Sequence, residues 1–239
     1  ITGTDVGLDI KDLKFMMKKT KNMVGVVNNP EKATALGVVY SMDSVAKYLN
    51  GSKNGIRKID GMSFAIQGVG KVGTEILALL YHKASKIYIS DINIAKLKII
   101  KKKYPKVIIV DPKKIHQQKV DIFCPCALSH VLHSKSINQI KAKAIVGSAN
   151  NQLKHIEIGK ILHRLGIIYC PDYVVNAGGL IAVADEYQNK KPNKARLDKS
   201  LKNIGKRMDD ILTLSKKTKK APVVIADEIA KRIFRNYNN

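Results

Sequence analysis

The 239-residue sequence predicts an α/β fold built on a doubly wound parallel sheet with helices on both faces. Two observations predict it. Between Ser63 and Tyr169, short apolar runs of strand length alternate with amphipathic stretches of helix length. The first of these runs empties directly into Gly68-Val69-Gly70-Lys71-Val72-Gly73, a glycine turn that opens a helical pattern.

Taken in order, residues 1–7 predict a short strand ending in Thr4-Asp5-Val6-Gly7, and residues 9–20 an amphipathic helix with Ile10, Leu13 and Met17 on its apolar side. Residues 23–30 form a loop whose Asn28-Asn29-Pro30 is a turn signal. A long helix follows over residues 33–49, with Leu36, Val39, Met42 (or Asp43) and Ala46 at three- and four-residue intervals. Residues 50–60 are a polar, glycine-containing loop that leads to the glycine turn.

Residues 62–93 make one strand–helix–strand unit with specific chemistry. Ser63–Gln67 is the first strand; Val72, Ile76 and Leu79/Leu80 mark the helix face; Lys86–Ser90 is the second strand and ends at Asp91. Gly68 permits the tight turn, Gly70 lets backbone approach a pyrophosphate, and Gly73 lets the helix pack close to the sheet. The helix start offers free N–H groups and partial positive charge to phosphates. Asp91, 18 residues beyond Gly73, stands where a carboxylate accepts from adenosine ribose hydroxyls and repels a 2′-phosphate. The unit therefore predicts a Rossmann-type domain whose cofactor is NAD, held by Gly68, Val69, Gly70, Lys71, Val72, Gly73 and Asp91.

The alternation continues with a helix over residues 94–103, a strand over 106–110, a short turn or helix over 112–117 and a strand over 120–124. Residues 136–141 read as a polar connection, 144–146 as a strand, 159–165 as a helix and 167–169 as the last strand. Ligands of such sheets bind outside the carboxyl ends of the strands. That singles out the exits Pro125-Cys126-Ala127, Gly147-Ser148-Ala149-Asn150-Asn151 and residues 171–179. Apolar positions from Leu197 to Leu212 mark a long helix over 197–214. Pro222 opens a final one, with Ile225, Ile229 and Ile233 expected to face inward.

Composition narrows the function classes. No apolar run approaches the ~20 residues of a membrane-spanning helix, and residues 1–10 carry no secretory pattern. The net charge of +24 invites nucleic acid, but the lysines are spread along the chain, tryptophan is absent and no aromatic–basic interleaving occurs. A solvated lysine-rich surface is the expectation, without nucleic-acid or membrane partners. Three cysteines argue for a reduced, cytoplasmic setting. Cys124-Pro125-Cys126 lacks the C-x₂₋₄-C spacing of structural zinc, so no metal is expected.

Five motifs together resemble the glutamate/leucine/phenylalanine/valine dehydrogenases, on the leucine side of that family. They are Thr34-x-x-Gly37-Val38, Gln67-Gly68-Val69-Gly70, Asp121-Ile122-Phe123-x-Pro125-Cys126-Ala127-Leu128, Gly147-Ser148-Ala149-x-Asn151-Gln152-Leu153 and Pro171-Asp172-Tyr173-x-x-Asn176-Ala177-Gly178-Gly179, closed by Ala184-Asp185-Glu186. The resemblance implies a homo-oligomeric oxidoreductase that deaminates a branched-chain L-amino acid to its 2-oxo acid and ammonia. It implies that Thr34 and Asn176 meet the nicotinamide ribose or carboxamide and that Cys126 and Ala127 line the cofactor groove. One of Asn150 and Asn151, the second by preference, would face the substrate, and Asp5 would be the catalytic aspartate.

The departures carry their own expectations. Family members hold the substrate carboxylate with one lysine and use another as general base, in a Gly-Gly-Lys segment that this sequence lacks. The stretch from Val24 to Thr34 is shorter than the family's loop. The sequence starts at Ile1, so the expectation is either a fragment or a remnant that has lost most of its substrate domain. On this reading residues 1–24 are the residual piece of a second (substrate) domain, 25–214 the NAD-binding domain, and 215–239 a helix returning toward the substrate domain. Turnover by these residues alone is expected to be weak or nil. The alternative expectation is a non-catalytic NAD-binding or interaction module left from a dehydrogenase.

Overall fold

The computed structural model describes residues 8, 10–20, 23–50, 59–127, 129–189 and 192–237. Among them, six strands form one parallel sheet: β1 (Ser63–Gln67), β2 (Lys86–Ser90), β3 (Ile108–Ile109), β4 (Ile122–Pro125), β5 (Ala144–Ile145) and β6 (Ile168–Tyr169). Their spatial order, β3-β2-β1-β4-β5-β6, reverses direction between β1 and β4, the dinucleotide-type order with its switch point there. Register aligns Gln67 with Ser90 on one side and with Pro125 on the other, so the carboxyl ends of these three strands abut.

Strand residues alternate between two apolar layers because successive side chains point to opposite faces. Phe64, Ile66, Ile87, Ile89, Ile122 and Cys124 enter the larger layer, while Ala65, Phe123, Ile145 and Tyr169 enter the other. The larger layer is closed by α2 (Pro30–Asn50), α3 (Lys71–Leu80), α4 (Ile94–Lys103), α9 (Lys194–Thr218) and α10 (Pro222–Tyr237). The opposite layer includes Ile137 of α5 (Ser134–Ile137), Ile158 and Leu162 of α6 (Ile156–Arg164), and Val223 from the start of α10. No helix among the described residues is long and apolar enough to cross a membrane.

Several expectations change. The N-terminal helix is α1, only Ile10–Met16; Leu13 is fully buried, but Met17 lies beyond the helix and is half exposed. The strand expected over 106–110 is reduced to β3 at the sheet edge, with both residues exposed. Helix α5 forms where a polar connection was expected, and α6 begins three residues earlier than its periodicity suggests. Residues 171–179, read as a strand exit, hold α7 (Asp172–Val175) and the start of α8 (Gly178–Asn189), a full helix the periodicity does not signal. In α10, Ile225 and Ile229 are buried, whereas Ile233 is 51% exposed because the core ends a turn earlier. The expected strand over 1–7 and most of the loop over 50–60 lie outside the described residues.

Candidate functional site

The site assembles at the switch point. Gly68 leaves β1 with a φ of +92°, a conformation only glycine adopts freely, and its N–H donates to the Ser90 carbonyl (2.7 Å). A Cβ built on Gly73 would stand 2.1 Å from the Gly68 carbonyl oxygen, so α3 packs onto the turn as closely as its third glycine permits. A Cβ on Gly70 would meet nothing within 4 Å. Gly70 is also the N-cap of α3 and makes no side-chain capping bond, which leaves the first-turn N–H groups without one. Glycine tightness at one position and open space at the next fit a dinucleotide pyrophosphate at a helix start.

Asp91 follows β2 directly. Its Oδ2 accepts from the Val69 N–H and its Oδ1 from the Asn93 N–H, both at 2.9 Å. The carboxylate is thereby anchored beside the turn, and each oxygen keeps a second lone pair for a ligand hydroxyl. Val69 is fully buried, Val72 partly buried, and Lys71 exposed. The Lys71 ammonium donates to the Leu8 carbonyl (2.8 Å) and lies 3.6 Å from Glu31. Lys71, Leu8 and Glu31 border a cleft of about 580 Å³ walled also by Leu13, Val26 and Pro30.

Across the switch point, Cys126 donates its N–H to Gln67 (2.7 Å), its side chain is half-buried, and Ala127 is exposed. The next exit is held by Gln152, fully buried, whose side-chain amide donates to the Gly147 and Ala149 carbonyls at 2.9 Å. Its N–H donates to buried Asp172 (3.0 Å), tying this exit to the one after β6. That leaves Asn150 and Asn151 exposed at the rim. Asn151 is left-handed (φ 50°), and its carbonyl accepts from His130. Asn176 caps α7 and donates through Nδ2 to the Asn150 side chain (2.6 Å), so Asn150 rather than Asn151 is its partner.

Thr34 sits in the first turns of α2, with its hydroxyl donating to Pro30 (2.8 Å). A Cβ on Gly179 would stand 2.7 Å from that hydroxyl, and one on Gly178 would stand 2.1 Å from the Ala33 carbonyl. The glycine pair therefore lets α8 lie directly against α2. The structure thus brings the glycine turn, Asp91, Cys126 and Ala127 to abutting strand ends, with Asn150, Asn151, Asn176 and Thr34 on the neighbouring exits and helix starts. Asp5 lies outside the described residues.

One group escaped sequence reasoning. The backbone N–H groups of Gly25, Val26, Val27 and Asn28 all donate to the Glu186 carboxylate, at 3.1, 3.3, 3.3 and 3.1 Å. Asn28 also donates to the Ala182 carbonyl (3.0 Å) and to Asp185, and Asp185 is gripped in turn by Arg196. The Arg196 hydrogen bond holds the Asp185 carboxyl below its ordinary value against the opposing cost of desolvation. Glu186 thus fixes the short loop that walls the cleft. Its only signal in the sequence is its place in Ala184-Asp185-Glu186.

Comparison with known proteins agrees with this geometry. The model of the Glutamate/Leucine/Phenylalanine/Valine dehydrogenase family matches residues 25–231. The chain is 36% identical over 236 residues to leucine dehydrogenase of Geobacillus stearothermophilus, covering 96% of this chain and 62% of that protein. It is 39% identical over 216 residues to phenylalanine dehydrogenase of Lysinibacillus sphaericus, covering 85% and 54%. The crystal structure of L-tryptophan dehydrogenase from Nostoc punctiforme superposes with a TM-score of 0.83 at 32% identity, over 99% of this chain and 67% of that one. The chain spans between half and two thirds of the length of the curated relatives it matches. A glycine turn at the sheet's switch point, matched along nearly the whole chain, places this protein in the glutamate/leucine/phenylalanine/valine dehydrogenase family.

Proposed function

We propose that this chain is the dinucleotide-binding part of an NAD-dependent amino-acid dehydrogenase that deaminates a branched-chain L-amino acid to the 2-oxo acid and ammonia. The observation that carries the reading is the open space at Gly70, flanked by the tight Gly73 contact and anchored Asp91. The N–H groups at the start of α3 receive the pyrophosphate, with Lys71 as its neighbouring cation. Asp91 accepts from the adenosine ribose hydroxyls and disfavours a 2′-phosphate by charge repulsion. Thr34 and Asn176 orient the nicotinamide end, Cys126 and Ala127 line the groove, and Asn151, beside the Asn150–Asn176 pair, faces the substrate. A nicotinamide held there would supply the acceptor for the hydride of the substrate Cα. Asp5 orients the lysine base that removes the substrate's proton and helps to pass that proton on. Residues 1–24 belong, on this reading, to the substrate side of the cleft, and copies of the chain assemble into a homo-oligomer.

The test separates cofactor binding from proton transfer. The 239-residue chain should bind NADH yet show no saturable leucine-dependent reduction of NAD, because no Gly-Gly-Lys segment lies within it. Joined to the N-terminal domain of a leucine dehydrogenase, it should turn over leucine, and Asp5→Asn should then cut the rate by ~10²–10⁴-fold, the usual worth of general acid–base help. Leucine turnover by the 239 residues alone would assign the base to another residue and overturn this division of labour.

A further inference from the structure

Cys124-Pro125-Cys126 lacks a zinc-type spacing, yet its two thiols meet. Cys124 is fully buried in β4, Cys126 is half-buried just past it, and their Sγ atoms lie 3.4 Å apart. Residues two apart on an extended strand share a face, and both side chains belong to the layer under α3. A disulfide needs about 2.05 Å, so the sulfurs must close by roughly 1.4 Å. The two thiols also differ. The hydrogen bond from Cys124 holds the Cys126 thiol below its ordinary value, with Ser148 adding further hydrogen bonds against the cost of burial. Burial pushes Cys124 up. Cys126 is therefore the accessible member and the one of the two that ionises more readily, with Cys124 the buried neighbour behind it.

We propose that Cys126 and Cys124 form a reversible oxidation site for a peroxide-class oxidant, with Cys126 as the reacting thiol and Cys124 as the thiol that closes the disulfide. The Cys126 thiolate attacks one peroxide oxygen, the O–O bond breaks, and hydroxide leaves, giving a sulfenic acid. The Cys124 sulfur then attacks the Cys126 sulfur and the sulfenic oxygen departs as water. Two thiols give up two electrons, and one hydrogen peroxide becomes two waters. Alternate residues on an extended strand are about 6.6 Å apart between Cα atoms, close to the upper end of the range that disulfides span. Such a bond is strained and easily reduced.

The site acts on the glycine turn. A Cβ on Gly68 would meet the Cys126 carbonyl oxygen at 3.0 Å and one on Gly73 would meet the Cys126 Cβ at 3.3 Å, so Cys126 supports both glycines. Drawing its sulfur toward Cys124 shifts that support and weakens dinucleotide binding. This consequence rests on the cofactor reading above.

The experiment treats the full chain with limiting hydrogen peroxide, denatures it and counts thiols. The expected result is loss of two of the three thiols. The peptide carrying Cys124 and Cys126 becomes lighter by two hydrogens, dithiothreitol restores both thiols, and NADH binding is lost and regained in step. Cys124→Ala should stop at a Cys126 sulfenic acid that dimedone captures, while Cys170→Ala should behave as the unaltered chain. Survival of all three thiols, loss of only one, or a disulfide that leaves NADH binding unchanged would each overturn the proposal. Should the reduced chain fail to bind NADH, the cofactor reading falls, and the thiol count still decides the oxidation site.

Discussion

Replacing Gly73 and Gly70 one at a time separates the packing of the glycine turn from its use. In Gly73→Ala the new methyl would stand 2.1 Å from the Gly68 carbonyl oxygen, and ordinary contact begins at 3.4 Å. The start of α3 must therefore retreat by about 1.3 Å from backbone that has no rotamer to change. Overpacking of this kind costs about 3 kcal/mol, the upper end of the usual range, and alanine returns about 1 kcal/mol in helix propensity. A net loss of about 2 kcal/mol lowers Tm by roughly 4–8 °C for a chain of this length. Gly70 has an ordinary φ of −66° and open space around it, so Gly70→Val meets no clash and loses only an N-cap preference of about 1 kcal/mol, lowering Tm by no more than about 2–4 °C. The same valine occupies the room a pyrophosphate needs, and NADH binding should vanish. Thermal melts and NADH fluorescence titrations on the two variants read both effects. An unchanged Tm in Gly73→Ala, or a folded Gly70→Val that binds NADH as before, would refute the reasoning.

Titration of the unaltered chain should show tighter binding of NADH than of NADPH, and Asp91→Ala should narrow the difference; equal affinities at the outset would remove the case for NAD. Glu186→Ala leaves four backbone N–H groups without their acceptor and should cost about 1–3 kcal/mol, with amide exchange at residues 25–28 accelerating while β1 amides stay protected. Exchange that rises equally everywhere would deny Glu186 its local role. Because Arg196 depresses the Asp185 pKa in the folded state, that pair's stabilisation is fully present above the unfolded carboxylate value of about 3.9 and is lost as pH falls through the folded value. Arg196→Leu should flatten the acid limb of a stability-against-pH curve; an identical limb would show that the pair contributes nothing.

The dinucleotide unit was legible in the sequence because its requirements are local. A positive φ at Gly68, backbone exposure at Gly70 and close packing at Gly73 are each met by omitting one Cβ, and a carboxylate at a strand end stays there whatever surrounds it. Parallel strands buried on both faces likewise announce themselves as short apolar runs. Asn150 and Asn151 were legible only as a pair, since the choice of partner for Asn176 depends on how Gln152 and Asp172 hold two exits 20 residues apart.

Periodicity and propensity failed where contact across the fold outweighs them. Gly178 and Gly179 weaken a helix by about 1 kcal/mol each, and so they read as a loop. They open α8 because any larger residue would collide with Ala33 or Thr34 of α2. Ile233 keeps its four-residue spacing past the point where the core stops, and spacing carries no information about what a face meets. The chain determined by itself its strand order's raw material, its glycine turn and the carboxylate that ends β2. Only tertiary structure decided that Glu186 grips a loop some 160 residues away and that Cys126 lies beneath the turn. Those depend on distances between segments that local backbone chemistry does not set.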